Sequence, residues 1–493
     1  MKRKAQLYLI VVSLAGLAIF FILEAGNRLT PPVAPGGTAL PAQVAHAAPA
    51  GTGFLSAATA SLWQNGTSPL SRLLLQVFII ISAAGIAGRI AKRIGQPAVV
   101  GEMVAGILLG PSLFGLIAPA AFQFVFPTSS FEPLRLFSQI GVCLFMFAVG
   151  MELDVLQLKQ KVPTAIVVSH SSIVIPYLLG VGLAYFLYEQ LAQPGASFIA
   201  FALFMGISMS ITAFPVLVRI LKDRGIFKTQ LGSTATACAA VDDVTAWTIL
   251  AFVVAIARAT SVGAGAITFL LVVVFVCLML FVIRPMLPNL MGRETLEREE
   301  PGPGLLTIVV SVVLLSAFCT ELIGIHALFG AFLAGTIMPA IGGFRDKLAI
   351  RVEHLSSVLL LPVFFAFTGL RMQVGLVSGN HEWMVLLVII GVATLGKLGG
   401  SALAARLTGL DWRESTQLGA LMNTRGLMEL IALNIGYDLG ILSQSIFTML
   451  VIMALVTTAM TGPLLSLLNR RQESENPMNG QPGQPGQPAL SGG

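Results

Sequence analysis

Two adjacent aspartates, Asp242 and Asp243 in AAVDDVTAW, stand in the middle of an apolar stretch, and Lys397 stands in another, GVATLGK. An ionisable side chain in hydrocarbon is costly, so each calls for a partner or a task. Neighbours on a helix point about 100° apart, so the two carboxylates cannot serve one face. One can face a cavity while the other pairs with a neighbouring helix. Desolvation disfavours the charged form of a carboxyl, so a proton and a metal cation can compete for it, which is the minimal chemistry of an exchanger. Lys397 is the natural countercharge, or else it lies near a span end and snorkels to water. GVATLGK also fits the start of a phosphate-binding loop, but Leu398 replaces the Ser or Thr that would hold magnesium, and the run lies inside an apolar span. No cofactor is expected.

The elements that position these groups are transmembrane helices. The chain of 493 residues is 56% hydrophobic and 11% charged, which excludes a soluble globular protein. Apolar segments long enough to span follow one another from residue 70 to 468. Thirteen spans are expected, near 70–88, 97–118, 134–151, 162–186, 197–219, 230–257, 263–286, 303–323, 325–341, 355–372, 383–405, 416–437 and 443–468. The fold class is therefore an all-α polytopic membrane protein. Cys143, Cys238, Cys277 and Cys319 fall in apolar stretches without a CxxC pair, against a disulfide framework or a zinc site.

Alternate loops carry the basic residues Arg89, Lys92 and Arg93; Lys159 and Lys161; Arg219, Lys222, Arg224 and Lys228; Arg284, Arg293 and Arg298; Arg345, Lys347 and Arg351; and Arg406 and Arg413. The opposite loops hold Arg28, Arg72, Arg135, Arg258 and Arg371. This places the basic loops and the C-terminus, with Arg470 and Arg471, in the cytoplasm. The net charge of +6 is thus a topology signal, and no nucleic-acid partner is expected. Residues 1–69 read as a hydrophobic run from about 6 to 23, either a signal peptide or an extra helix, then an exterior linker. Residues 469–493 read as a disordered cytoplasmic tail, with no soluble domain after the membrane core.

Two pairs of spans are alike. LFMFAVGMELDV from Leu144 matches VFFAFTGLRMQV from Val363, aligning Gly150 with Gly369, and AGILLG from Ala105 matches GAFLAG from Gly330. Seven spans separate the members of each pair, so they cross in opposite directions, as in an inverted repeat with its site at the midplane. The halves are expected at about 70–257 and 303–468, joined by a linker helix at 263–286.

Span five, SMSITAFPVLVRI, and span twelve, LMNTRGLMEL, occupy matching places, and both look interrupted. Pro215 leaves the Ile211 carbonyl without its helical donor beside Ser210 and Thr212, while Asn423, Thr424, Arg425 and Gly426 interrupt the other. Freed carbonyls and half-helix ends can replace an ion's hydration shell. Arg425 could balance half-helix ends or pair with Glu429, four residues on. Glu102, Glu321, His326 and His170 either line an access path or are packed and hydrogen-bonded, with Glu102 and Glu429 as accessory candidates.

The segments GQPAVVGEMVAGILLGPSLFG, STATACAAVDDVTAW, GIHALFGAFLAGTIMP and LMNTRGLMELIALNIG resemble the monovalent cation/proton antiporters, particularly the plant cation/proton exchangers and their bacterial relatives. The resemblance runs over about residues 70–468. It implies the inverted-repeat antiporter fold with about thirteen core helices, two of them broken and crossing, in a homodimer whose core slides like an elevator against a dimerisation domain. It also implies that Asp243 binds the cation or proton, that Asp242 bridges to Lys397, and that the crossing point falls at Ser210–Pro215 and Asn423–Gly426. The chain departs from glutathione-gated relatives, which carry Gln before the Asp and a nucleotide-binding domain, so their regulation does not carry over.

The expected function is exchange of K+ or Na+ for H+ across a bilayer, in a bacterial inner membrane or a thylakoid or organelle membrane. Three other readings stand beside it. A cation channel or uniporter would lack proton coupling, and no TVGYG-like filter is present. An intramembrane aspartyl protease needs converging carboxylates from separate helices, which Asp242 and Asp243 are not. A non-transporting sensor is the third.

Overall fold

The computed structural model describes residues 64–152, 162–258, 262–292 and 302–475, together with Ser61 and Leu296. The hydrophobic run at 6–23, Arg28, Lys159, Lys161, Arg293, Arg298 and residues 476–493 lie outside the described residues. The chain divides into two units, Met1–Gly66 and Thr67–Gly493, and the helices from Pro69 to Glu475 belong to the second.

Among the described residues, eleven helices are long and apolar enough to cross a membrane. The other two expected spans are the ten-residue helix Ala327–Thr336 and the pair Trp412–Met422 and Leu427–Asp438, split by a polar break. In chain order the elements used here are α1 (Pro69–Arg93), α2 (Ala98–Leu109), α3 (Phe131–Glu152), α4 (Val162–Leu191), α5 (Phe198–Ser210), α6 (Phe214–Asp223), α7 (Gln230–Arg258), α8 (Val262–Cys277), α9 (Pro303–Ile323), α10 (Ala327–Thr336), α11 (Phe344–Leu355), α12 (Leu361–Arg371), α13 (Asn380–Thr394), α14 (Gly400–Leu407), α15 (Trp412–Met422), α16 (Leu427–Asp438) and α17 (Gln444–Glu475).

Local chemistry sets the ends of these helices. Ser68 and Ser197 accept from the amides of Ser71 and Ala200 as N-caps of α1 and α5, and Asp411 does the same for Glu414 at the start of α15. Gly324 closes α9 in the left-handed region at φ 97°, where its N–H reaches the carbonyls of Thr320 and Glu321. The last helix runs past residue 468 to Glu475, because Arg, Gln and Glu continue a helix readily. Residues 469–475 are therefore helical where a disordered tail is expected.

Packing sorts the helices into two bundles. In one, α2 lies between α1 and α12, and α10 lies between α3 and α9. In the other, α4 packs on α5, α7 and α14, while α15 packs on α14 and α17. Helix α8 touches α7 on one side and α9 on the other and so links them.

Within the first bundle one contact occurs twice. A methyl group on Gly110 would stand 2.6 Å from the Gly369 carbonyl oxygen, and one on Gly335 would stand 2.9 Å from the Gly150 Cα. The repeat equates Gly110 with Gly335 and Gly369 with Gly150, so the same close approach is built once in each half. Only a missing side chain permits helix axes that near, and in a membrane such small-residue contacts are a main source of packing.

Candidate functional site

The second bundle holds the two interrupted spans. Helix α5 ends at Ser210, Ile211–Ala213 are extended, and α6 begins at Phe214 with Pro215 in its first turn. The break thus precedes the proline, which starts a half-helix where no amide donor is needed. Helix α15 ends at Met422, and α16 restarts at Leu427. The two breaks touch: the Ala213 amide donates to the Thr424 carbonyl at 2.9 Å, and Thr212 Oγ1 donates to the Met422 carbonyl at 3.0 Å.

Arg425 is fully buried at this crossing. Its Nη1 and Nη2 donate to the Ser208 and Met209 carbonyls, each at 2.7 Å, satisfying the negative end of α5. Nη1 also lies 3.4 Å from Glu429 Oε2, with both side chains fully buried. Thr458 of α17 accepts from the Arg425 amide at 3.0 Å and donates to its carbonyl at 2.7 Å, and Thr424 and Thr461 place their hydroxyls 3.3 Å apart. Asn423 is buried with both amide atoms unpartnered.

Against this crossing α7 sets its aspartates, both fully buried. Asp242 accepts from Ser172 Oγ at 2.5 Å and from the Thr212 amide at 2.9 Å, and each of its oxygens is 3.3 Å from Lys397 Nζ. Lys397 lies in a π-helical turn, Leu395–Gly399, and donates as well to the Ser172 carbonyl at 3.0 Å and to the Ser210 carbonyl. Its full burial removes the snorkelling alternative. Asp243 is different. Neither of its oxygens has a hydrogen-bond partner in ordinary geometry, and the Phe214 amide, at the positive end of α6, is the backbone donor acting on it. Among the five ionisable groups buried here, Asp242 is paired with Lys397 and Glu429 with Arg425, which leaves Asp243 without a counterion.

Residues 77–470 match the family described as "Sodium/hydrogen exchanger, transmembrane". The Na(+)/H(+) antiporter NhaS4 of Synechocystis sp. is 43% identical over 81% of this chain and 97% of its own length. The chain belongs to the sodium/hydrogen exchanger family. Cation/H(+) antiporter 17 of Arabidopsis thaliana, 39% identical over 81% of this chain, and K(+)/H(+) antiporter 1 of Saccharomyces cerevisiae, 33% identical over 82%, are also similar. The chain spans about half the length of these two relatives, 49% and 47% respectively. The structure of the sodium proton antiporter MjNhaP1 from Methanocaldococcus jannaschii shares the fold at a TM-score of 0.58 and 13% identity, covering 81% of this chain and 99% of that one. Family members named in this way are transporters and not enzymes.

Other residues singled out in the sequence fall elsewhere in this exchanger-family fold. Glu102 is half-buried on α2, with Arg219 and Lys92 as the charges acting on it. His170 is exposed, with Nδ1 2.8 Å from the Ile166 carbonyl. Glu321 and His326 line a cavity of about 600 Å³ that also touches Arg135, Gln139, Arg258 and Asp438. Ser172, Thr458 and Thr461 join the charged cluster, although sequence reasoning did not single them out. Their one signal is the hydroxyl density of SHSS at 169–172 and TTAMT at 457–461 within apolar spans.

Proposed function

We propose that this protein exchanges K+ or Na+ for H+, with Asp243 carrying the cation and the proton in turn. The observation that carries the reading is the contrast at the crossing: Asp242 takes three donors, and Asp243, equally buried, takes none in ordinary hydrogen-bond geometry. A bare carboxylate there is held out of water at a cost of several kcal/mol. Binding either a proton or a cation relieves that cost, so the site travels when loaded and resists travelling empty. That condition couples the two fluxes.

The second bundle carries the site, and the first, held by glycine contacts, is the frame against which it slides in an elevator motion. The frame also forms the homodimer. Asp242 and Lys397 position the crossing, Arg425 fixes the end of α5, and the buried Ser210, Thr212 and Thr424 carbonyls, the first and last already accepting from Lys397 and the Ala213 amide, supply neutral oxygens to the cation together with the unpartnered Asn423 side-chain amide. The basic loops and the C-terminus face the cytoplasm. The names of similar proteins support either ion, Na+ for the Synechocystis relative and K+ for the yeast one.

The test is purified protein in liposomes with a pH-sensitive dye and an imposed proton gradient, challenged with K+, Na+ and Li+ in turn. Wild type is expected to collapse the gradient on addition of its cation, and Asp243→Asn, folded and inserted equally well, to leave it intact. Full exchange in that variant would discard the role given to Asp243.

A further inference from the structure

The two bundles meet at the ends of α12 and α16, where one arginine gathers most of the polar contact. Arg371, the last residue of α12, places Nη2 2.8 Å from Asp438 Oδ1, at the end of α16, and donates from Nη1 to Asn434 Oδ1 at 2.9 Å. Asn434 in turn donates from Nδ2 to Thr368 Oγ1 at 2.9 Å, back on α12. The guanidinium stacks 4.2 Å from the ring centroid of Phe367 on its own helix and 5.4 Å from that of Tyr437 on α16. Gln444, opening α17, donates to the Arg371 carbonyl at 3.2 Å. These bonds form one helical turn of rungs between the bundles. The 600 Å³ cavity lies beside them and shares Asp438 as a lining residue.

The rungs differ from the Asp242–Lys397 pair in two ways. They join different bundles, whereas that pair lies within one. They are also partly wet, with side-chain exposures of 12% for Arg371 and 30% for Asp438 against 0% for both Asp242 and Lys397. A bond that water can replace opens at little cost, and a bond across a sliding seam has to open. At the other end of the seam Gln96 Nε2 donates to the Ala459 carbonyl at 3.3 Å, and the charges of Glu102 on α2 and Arg219 on α6 act on each other.

We infer that Thr368, Arg371, Asn434 and Asp438 form a releasable latch between the bundles, closed in this structure, which must open each time the loaded site changes sides. The inference rests on the sliding motion proposed above. Its test ties the rungs together with Thr368→Cys plus Asn434→Cys, oxidised by copper phenanthroline in liposomes and read by cation-driven collapse of a proton gradient. The cross-linked protein, verified by mass, loses exchange and regains it on reduction, while each single variant and oxidised wild type, with its four native cysteines, keep it. Undiminished exchange in the cross-linked protein overturns the latch, and so does failure of the pair to cross-link. If wild type itself exchanges no cation, the antiporter reading fails separately, and the latch is then read from native Cys143, which lines the cavity. Locking speeds modification of Cys143 by a water-soluble maleimide relative to the reduced pair, and equal rates overturn the latch.

Discussion

The two bundles are built from the same repeat and held together by opposite means. In the frame, Gly110 meets Gly369 and Gly335 meets Gly150, so the contact is backbone on backbone with nothing charged between. In the site bundle the corresponding centre contains five fully buried ionisable groups, Asp242 paired with Lys397, Glu429 paired with Arg425, and Asp243 unpaired. A packed apolar contact stays at one setting, because any shift loses dispersion contacts on all sides. A buried charge left unanswered is costly, so the energy of a centre that contains Asp243 changes with what that carboxyl binds. Motion and chemistry are thus divided between them: the frame resists deformation, and the site bundle responds to what it binds.

The largest effect is expected where a second buried charge is left unanswered. Lys397→Ala strips Asp242 of its ion pair with no route to water, and a loss of about 3–5 kcal/mol is expected, as for other buried pairs broken on one side. The measurement is thermal unfolding in detergent. Adding Asp242→Asn to Lys397→Ala is expected to recover most of that loss, because the remaining amide oxygen still accepts from Thr212 while the orphan charge is gone. A double variant no more stable than the single one would mean that shape, and not charge, holds this bundle together.

Gly335→Val strikes the frame instead. Its Cβ would fall 2.2 Å from the Phe147 carbonyl oxygen and 2.9 Å from the Gly150 Cα, both backbone atoms with no rotamer to yield. The expected cost is about 3 kcal/mol, at the upper end for overpacking, read as a lower melting temperature. It should be insensitive to added K+ or Na+, whereas cation is expected to raise the melting temperature of wild type by binding the folded state. A Gly335→Val protein of normal stability would show that α10 and α3 are free to separate.

Much of this division was legible in the sequence because the membrane makes violations visible. Asp242, Asp243 and Lys397 stand out against apolar neighbours, and the polar runs at Ser210–Thr212 and Asn423–Arg425 interrupt two matching spans. The aligned glycines were legible as a repeat, and packing then made them contacts. Which aspartate faces Lys397 was not readable from the residues alone, since neighbours on a helix differ only in direction and direction depends on the packed partners. Ser172, Thr458 and Thr461 were missed because a hydroxyl in a membrane helix usually bonds its own preceding turn. Glu102 shows the converse, a carboxylate conspicuous in sequence that the fold leaves on the frame beside Arg219 and Lys92.

Thr458 offers the gentlest test of how closely the site bundle is specified. Its hydroxyl accepts from the Arg425 amide and donates to the Arg425 carbonyl, so one side chain satisfies both backbone groups at the break of span twelve. Thr458→Val keeps the shape and removes both bonds, leaving two buried backbone groups unmet at an expected cost of about 1–3 kcal/mol for each. Thr458→Ser restores the hydroxyl and should recover most of it. Because the same break carries the Thr424 carbonyl and the Asn423 side-chain amide, the Val variant should need more cation for half-maximal exchange while retaining its maximal rate. A loss of stability with unchanged cation dependence would mean that Thr458 braces the helix without shaping the ion's surroundings, and the charged centre would then reach no further than Arg425.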